Sequence, residues 1–193
     1  MNEKLKSVDI IMLLLYSPGY TENYNEPISG RTKITKMLFL FEKELAKKFK
    51  LDKITGEEDI FNFKAWNYGP MSSTIFKDID FLKNIGFIKT TDNVSSNLTI
   101  EEVQEYNYYS EKYNDDTDTE FQTETYHLSE KGLNFIKDKQ KYDKLSDNQK
   151  LYLKEFKKQF NKAPLRDILK YVYTTYPEFT EKSLIKDKVL GEN

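Results

Sequence analysis

The stretch NYGPMSSTIFKDIDFLKNIGFIK, from Asn67 to Lys89, has the composition of a helix with one packed face. Gly69 and Pro70 predict its start, because proline is favoured at the first helical position, and Gly86 predicts its end, because glycine tolerates the left-handed exit conformation. The apolar face would be formed by Met71, Ile75, Ile79 and Leu82. The opposite face would carry Ser73, Lys77, Asp80 and Asn84. One side of this helix is therefore expected to join a core.

Two further helices are predicted upstream, separated by a loop over residues 17–31. The first stops at Pro18–Gly19 and is expected to be buried on most sides, because apolar residues recur at Val8, Ile11, Met12 and Leu15. Thr32 is a candidate cap for the second, whose apolar face contains Ile34, Leu38, Phe41, Leu45 and Phe49. Its other face carries Lys33, Lys36, Leu40, Lys43 and Lys47. The segment FNFKAWNY, residues 61–68, is typical of a strand.

Downstream of the third helix, the strand candidates FIKT and YHLS flank an acidic segment, residues 100–125, and predict a long β-hairpin. Another helix is predicted from Ser129, and two amphipathic helices follow residue 143. The last lies between Pro164 and Pro177 and has an apolar stripe formed by Leu165, Ile168, Leu169 and Val172. We expect an α+β fold: a mostly helical, winged-helix-like domain over residues 1–142, with a C-terminal helical extension, residues 143–193, docked on it.

Three segments resemble a known family. GRTKITKMLFLFEKE, FKAWNYGPMSSTIFKDIDFLKNIGFI and YHLSEKG are similar to the Panacea-type domain of bacterial antitoxins and related phage-defence or prophage proteins. The resemblance covers roughly residues 4–138. It implies a protein that binds and neutralises or regulates another protein, without catalytic residues. The chain departs from the family pattern in its long acidic hairpin and in its C-terminal YVYTTYPEFTEKS region.

The composition indicates a folded protein, because the 193 residues include 14 tyrosines and 13 phenylalanines although 32% are charged. The absence of cysteine excludes disulfides, thiolate catalysis and cysteine-ligated zinc. The longest apolar run, Ile10 to Tyr16, is far shorter than the ~20 residues of a membrane-spanning helix. It does not belong to a signal peptide, because SPGYTENYN follows it where a small-residue cleavage site would be needed. We expect a cytoplasmic protein without a membrane segment.

Candidate catalytic and ligand-binding residues are few. His127 is the only histidine, and no nucleophile motif accompanies it. Asp115, Asp116, Asp118 and Glu120 offer oxygen ligands, but the glycine that turns a calcium loop is missing, which favours a solvated hairpin tip. No glycine-rich phosphate loop is present. We therefore expect no enzyme activity, no metal and no cofactor.

Charge is distributed unevenly, although the net charge is only -2. Residues 100–130 contain ten acidic and one basic residue, and residues 131–170 contain five acidic and twelve basic residues, so a block of -9 precedes a block of +7. In a winged helix the third helix enters the DNA major groove and the wing lies near phosphates. An acidic wing would be repelled there, which argues against DNA binding by the usual surface.

Two basic stripes remain as candidate binding surfaces, with an ordinary solvated face as the alternative for each. The first, assigned to a protein partner, contains Arg31, Lys33, Lys36, Lys43 and Lys47 around Leu40. Leu40 is either a packing contact with the C-terminal helices or an exposed anchor. The alternative nucleic-acid contacts are Ser73, Lys77, Lys150, Lys154, Lys157 and Lys158.

Three hypotheses follow. The first is a non-enzymatic protein-binding regulator of antitoxin or phage-defence type, whose partner would be a toxin or a defence or phage factor. The second is a DNA-binding transcriptional regulator that docks through a basic stripe. The third is that the acidic hairpin imitates nucleic acid and inhibits a partner.

Overall fold

The computed structural model describes residues 5–46, 48–49, 60–94 and 122–191 and combines helices with small antiparallel sheets. The first part contains helices α1 (Ser7–Tyr16), α2 (Arg31–Leu40) and α3 (Ser73–Asn84), and a π-helical turn, Phe41–Leu45, extends α2. The later part contains α4 (Glu130–Asp138), α5 (Asp147–Lys162), α6 (Leu165–Thr175), a 3-10 turn (Pro177–Phe179) and α7 (Lys186–Leu190). The mixed α+β class is as predicted.

The strands are β1 (Ile28–Ser29), β2 (Lys64–Trp66), β3 (Gly69–Met71), β4 (Ile88–Val94) and β5 (Gln122–Leu128). β4 pairs antiparallel with β5, from Ile88 opposite Leu128 to Val94 opposite Gln122, and β1 pairs with the other edge of β5. This sheet therefore has the order β1-β5-β4. β2 and β3 form a separate hairpin. Most of the predicted acidic segment 100–125 lies outside the described residues.

Helix α1 lies at the centre of the core and packs against α3, α4 and β5. Its residues from Ile10 to Leu15 are all buried, so apolar side chains surround the helix as predicted. Asp9, in its first turn, is also buried and lies 3.4 Å from the ammonium of Lys141. A buried carboxylate needs such a partner because desolvation opposes its charge.

The predicted start of the third helix is wrong. Gly69 has a φ of +80° and lies in β3, where Pro70 pairs with Ala65. The helix begins at Ser73, and the Ser72 hydroxyl caps it by accepting a hydrogen bond from the Ile75 amide at 3.3 Å. Strand pairing has therefore prevailed over the preference of proline for a helix start. Met71, predicted on the apolar face of the helix, accordingly lies in β3 and is only half-buried. Gly86 ends this region with a φ of +75°, and the side chains of Ile75, Ile79 and Leu82 are buried, both as predicted.

The start of α2 also differs from the prediction, by two residues. The helix begins at Arg31, and the residue that caps it is Gly30, with a φ of +94°, in place of Thr32. The predicted apolar face of this helix, Ile34, Leu38, Phe41, Leu45 and Phe49, is buried throughout.

The C-terminal helices pack on the first part of the chain. α6 contacts α2, and the ring of Phe39 lies 5.1 Å from that of Tyr176 and 4.9 Å from that of Phe179. The predicted stripe of α6, Leu165, Ile168, Leu169 and Val172, is buried. Gly69 leaves room for this packing, since a Cβ atom there would lie 2.9 Å from the ring of Tyr173.

Candidate functional site

The first basic stripe is interior at its centre. Leu40 is 0% exposed and Lys36 is 1% exposed. The Lys36 ammonium donates to the carbonyl oxygens of Tyr68 at 2.7 Å and Pro70 at 3.0 Å, which ties the β2–β3 hairpin to α2. Leu40 is thus a packing contact, and the prediction that Leu40 and Lys36 bind a partner at the surface is wrong. The physical reason is that the hairpin and the C-terminal helices cover this face of α2.

The other members of that stripe point to separate neighbours. The Lys33 ammonium donates to the carbonyl oxygens of Asn161 at 2.7 Å and Ala163 at 2.8 Å. Lys43 lies 4.8 Å from the centre of the Phe179 ring, and Arg31 lies 3.2 Å from the Asp80 carboxylate. Lys47 lies outside the described residues. No single exposed basic patch is formed by the described members.

Several lysines cover the C-terminal ends of helices from other elements. Lys157 on α5 donates to the carbonyl oxygens of Leu15 and Ser17, each at 2.8 Å, at the end of α1. Lys33 does the same at the end of α5, and Lys131 donates to Ile85 at 2.8 Å, just after α3. Such contacts satisfy carbonyl oxygens that have no partner within the helix and place positive charge at the negative end of the helix dipole.

This arrangement corrects the prediction for Lys157 as a nucleic-acid contact. Its side chain is 0% exposed, and burial lowers its pKa to about 7, with the charge of Glu26 acting in the opposite direction. A lysine enclosed in this way holds α5 against α1 and does not reach an external phosphate.

The outer face of α3 is exposed and carries an aromatic ring. Ser73, Lys77 and Asn84 are exposed, as predicted, and Phe81 beside them is 51% exposed. The nearby Asp80 pairs with Arg31, and the Lys83 ammonium lies 2.5 Å from the Glu124 carboxylate. Phe81 was not among the residues predicted for this face. The sequence does indicate its exposure, because Phe81 does not follow the helical spacing of the buried residues Ile75, Ile79 and Leu82.

A second surface is formed by α5 and the loop that precedes β1. Lysines recur every four residues along α5, and we call Lys150, Lys154, Lys158 and Lys162 the lysine stripe. Glu22 forms ion pairs with both Lys154 and Lys158, the latter at 3.2 Å. Lys162 lies 4.7 Å from the centre of the Tyr20 ring. Three of these lysines were predicted as nucleic-acid contacts, and Lys162 was not, although it follows the same spacing of four residues.

The loop itself, residues 17–27, presents two tyrosines and is called here the tyrosine loop. Tyr20 is 53% exposed and Tyr24 is 56% exposed. The Tyr24 ring lies 5.1 Å from that of Tyr16 and 5.8 Å from that of Tyr142, which in turn lies 5.7 Å from the Lys150 ammonium. Aromatic rings and lysines are therefore interleaved on this surface. From sequence, this segment was predicted only to be a loop.

The histidine and the acidic residues that were considered for catalysis and metal binding lie apart in the chain. His127 lies in β5, opposite Lys89 of β4. Asp115, Asp116, Asp118 and Glu120 lie outside the described residues. Among the residues that the structure describes, no group of three or more acidic or histidine side chains is placed to hold a metal ion.

Comparisons with protein-family models, with curated proteins and with solved structures find no match to this chain. In the ranges that the structure describes, no helix has both the length and the apolar character needed to cross a membrane.

Proposed function

We propose that this chain is a non-enzymatic protein-binding regulator of antitoxin or phage-defence type, built on a winged-helix-like domain and acting in the cytoplasm. The order α1, β1, α2, α3, β4, β5 and the sheet order β1-β5-β4 support this architecture, because a winged helix joins three helices to such a sheet. The β2–β3 hairpin is then an insertion before α3. The resemblance of residues 4–138 to the Panacea-type domain points to the same class.

The observation that carries the proposal is the exposed ring of Phe81 on the outer face of α3. A few anchor residues supply most of the energy of protein interfaces, where aromatic residues are enriched, whereas DNA binding depends on lysines and arginines at phosphates. Lys77 is the exposed cation beside Phe81, and the cations at Arg31 and Lys83 already face carboxylates. The face is therefore better suited to a protein than to a duplex.

The experiment compares Phe81→Ala with Lys77→Ala as a matched control on the same helix face. The tagged chain is recovered from its source cells with its bound proteins, and the affinity of the purified partner is then measured for each variant. We expect Lys77→Ala to retain the partner and Phe81→Ala to weaken binding by about tenfold or more, as at an interface hot spot.

The competing hypothesis, a transcriptional regulator, is tested with the same variants. A pool of random duplexes is selected against the wild-type chain at physiological salt. Recovery of one duplex sequence whose binding is lost in Lys77→Ala and kept in Phe81→Ala would replace the proposal with DNA recognition by α3.

A further inference from the structure

The lysine stripe and the tyrosine loop form one continuous surface on the side of α5. Four residues of helix advance by about 6 Å, so the four ammonium groups form a track along the helix. The track follows the tyrosine loop, because Lys162 lies against Tyr20 and both Lys154 and Lys158 reach Glu22. Two half-exposed aromatic rings thus lie directly beside a row of cations.

The loop is held rigidly in place. The Glu26 carboxylate accepts hydrogen bonds from the Thr21 amide and the Asn161 side chain, each at 2.5 Å. The Asn25 side chain pairs with the backbone of Leu128, donating to its carbonyl at 3.0 Å and accepting from its amide at 2.8 Å. Glu22 and Asn25 adopt positive φ angles of 60° and 61°, a conformation that non-glycine residues rarely adopt. A preorganised loop loses little conformational entropy when a ligand binds.

We propose that this surface binds single-stranded nucleic acid, with the lysine stripe along the phosphates and Tyr20 and Tyr24 as stacking platforms for bases. Proteins that bind single strands combine a basic track with exposed aromatic rings in this way. A duplex would use the lysines but not the rings, because its bases are already stacked on one another. An acidic peptide without apolar or aromatic side chains, such as polyglutamate, would likewise leave the rings without a partner.

The position of Glu22 predicts the direction in which its substitution changes the affinity for nucleic acid. Its carboxylate, whose pKa is lowered by hydrogen bonds from Lys154 and Lys158, occupies the middle of the stripe. A phosphate that binds there must displace this carboxylate or bind beside it against like-charge repulsion. Glu22 therefore acts as an internal competitor, and removing its charge strengthens binding.

The experiment measures the anisotropy of labelled oligo(dT) and oligo(U) of about 16 nucleotides, the upper end of a single-strand site, over a series of salt concentrations. The variants are Glu22→Gln, Tyr20→Leu and the double change Lys154→Gln/Lys158→Gln. Lys170→Gln/Lys182→Gln is the charge-matched control, since both lysines are exposed outside α5. A duplex of equal length and polyglutamate serve as competing probes, and thermal unfolding confirms that each variant is folded.

We expect Glu22→Gln to tighten binding severalfold. The double lysine change should weaken binding, and it should reduce the slope of log K against log salt concentration by about 1.4, because each of the two lost phosphate contacts contributes about 0.7. Tyr20→Leu should weaken binding about tenfold with the salt slope unchanged, because stacking releases no counterions. Comparing oligo(dT) with oligo(U) shows which single strand is preferred.

Three outcomes would overturn the proposal. The first is no binding of either oligonucleotide above that of the control. The second is that the duplex or polyglutamate competes as well as a single strand does and that Tyr20→Leu leaves the affinity unchanged. The third is weaker binding by Glu22→Gln than by the wild-type chain.

Discussion

The ammonium group of Lys157 lies 2.8 Å from the carbonyl oxygen of Leu15, although 142 positions separate the two residues along the chain. The contact joins the middle of α5 to the end of α1, in a place where the lysine is wholly enclosed. It turns a residue type that normally marks a surface into part of the interior. The stability of the fold should therefore depend on the protonation of this one amine.

Lys157 is expected to make stability rise with pH above neutrality. Burial lowers its folded-state pKa to about 7, below the ordinary value of 10.5, so the folded chain releases this proton before the unfolded chain does. Below pH 7 both states are protonated and the desolvation cost is fully present. Between pH 7 and 9 the unfolded state binds more protons, and the free energy of unfolding should increase by roughly 2–3 kcal/mol from this group.

The check is urea unfolding of the wild-type chain, Lys157→Met and the adjacent, half-exposed Lys158→Met at several pH values. The rise should vanish in Lys157→Met and persist in Lys158→Met. The rise in stability should end near pH 10. Burial raises the pKa of Tyr126 and Tyr176 in the folded chain, so above that pH the unfolded chain loses these protons first and stability falls. An equal slope in all three chains would show that Lys157 is not the group responsible.

Leu40→Ala should destabilise the fold by about 2–5 kcal/mol, as expected when a fully buried leucine is truncated to alanine. The control is Leu151→Ala on α5, whose side chain is exposed and whose loss should change stability by no more than about 0.5 kcal/mol. Chemical denaturation of both variants gives the comparison. A loss of stability in Leu40→Ala as small as that in Leu151→Ala would show that the Leu40 side chain lies at the surface.

Lys33→Met tests the lysine at the end of α5. The change leaves the carbonyl oxygens of Asn161 and Ala163 without this donor, and we expect a loss of about 1–3 kcal/mol of stability. Lys170→Met on α6 removes an exposed lysine and serves as the control. If both variants unfold at the same denaturant concentration as the wild-type chain, the contact contributes nothing measurable.

Ser72→Ala tests the start of α3. The hydroxyl accepts from the Ile75 amide and donates to the Phe61 carbonyl, so its removal should lower stability by about 1–2 kcal/mol. Ser73→Ala changes the exposed first residue of the helix and should have little effect. A helix that began at Pro70 would make the two substitutions equivalent, which thermal unfolding can distinguish.

The sequence predicted those features that depend on a helix's own periodicity. Ile75, Ile79 and Leu82 of α3, and Leu165, Ile168, Leu169 and Val172 of α6, are buried because apolar residues at that spacing share one face. The pairing of β4 with β5 was likewise visible in the short strands around the acidic segment.

What the sequence could not show was which distant element would cover a face. Leu40 and Lys36 stand among lysines and suggest a solvated surface, but α6 and the β2–β3 hairpin cover them. Lys157 and Lys158 are neighbours of identical type, yet only the first faces the carbonyl oxygens at the end of α1. The acceptors at a helix end are backbone carbonyl oxygens, which a side-chain pattern does not reveal. Whether a given lysine is buried against them therefore depends on the tertiary structure.

The covering of α1 and α2 by α5 and α6 has a consequence for biosynthesis. A chain leaves the ribosome from its N-terminus, so the end of α1 and the Leu40 face of α2 exist well before Lys157 and α6 have been made. During that interval the nascent chain exposes an apolar surface to chaperones and proteases. Folding of the N-terminal helices is therefore completed only when the residues of α5 and α6 emerge.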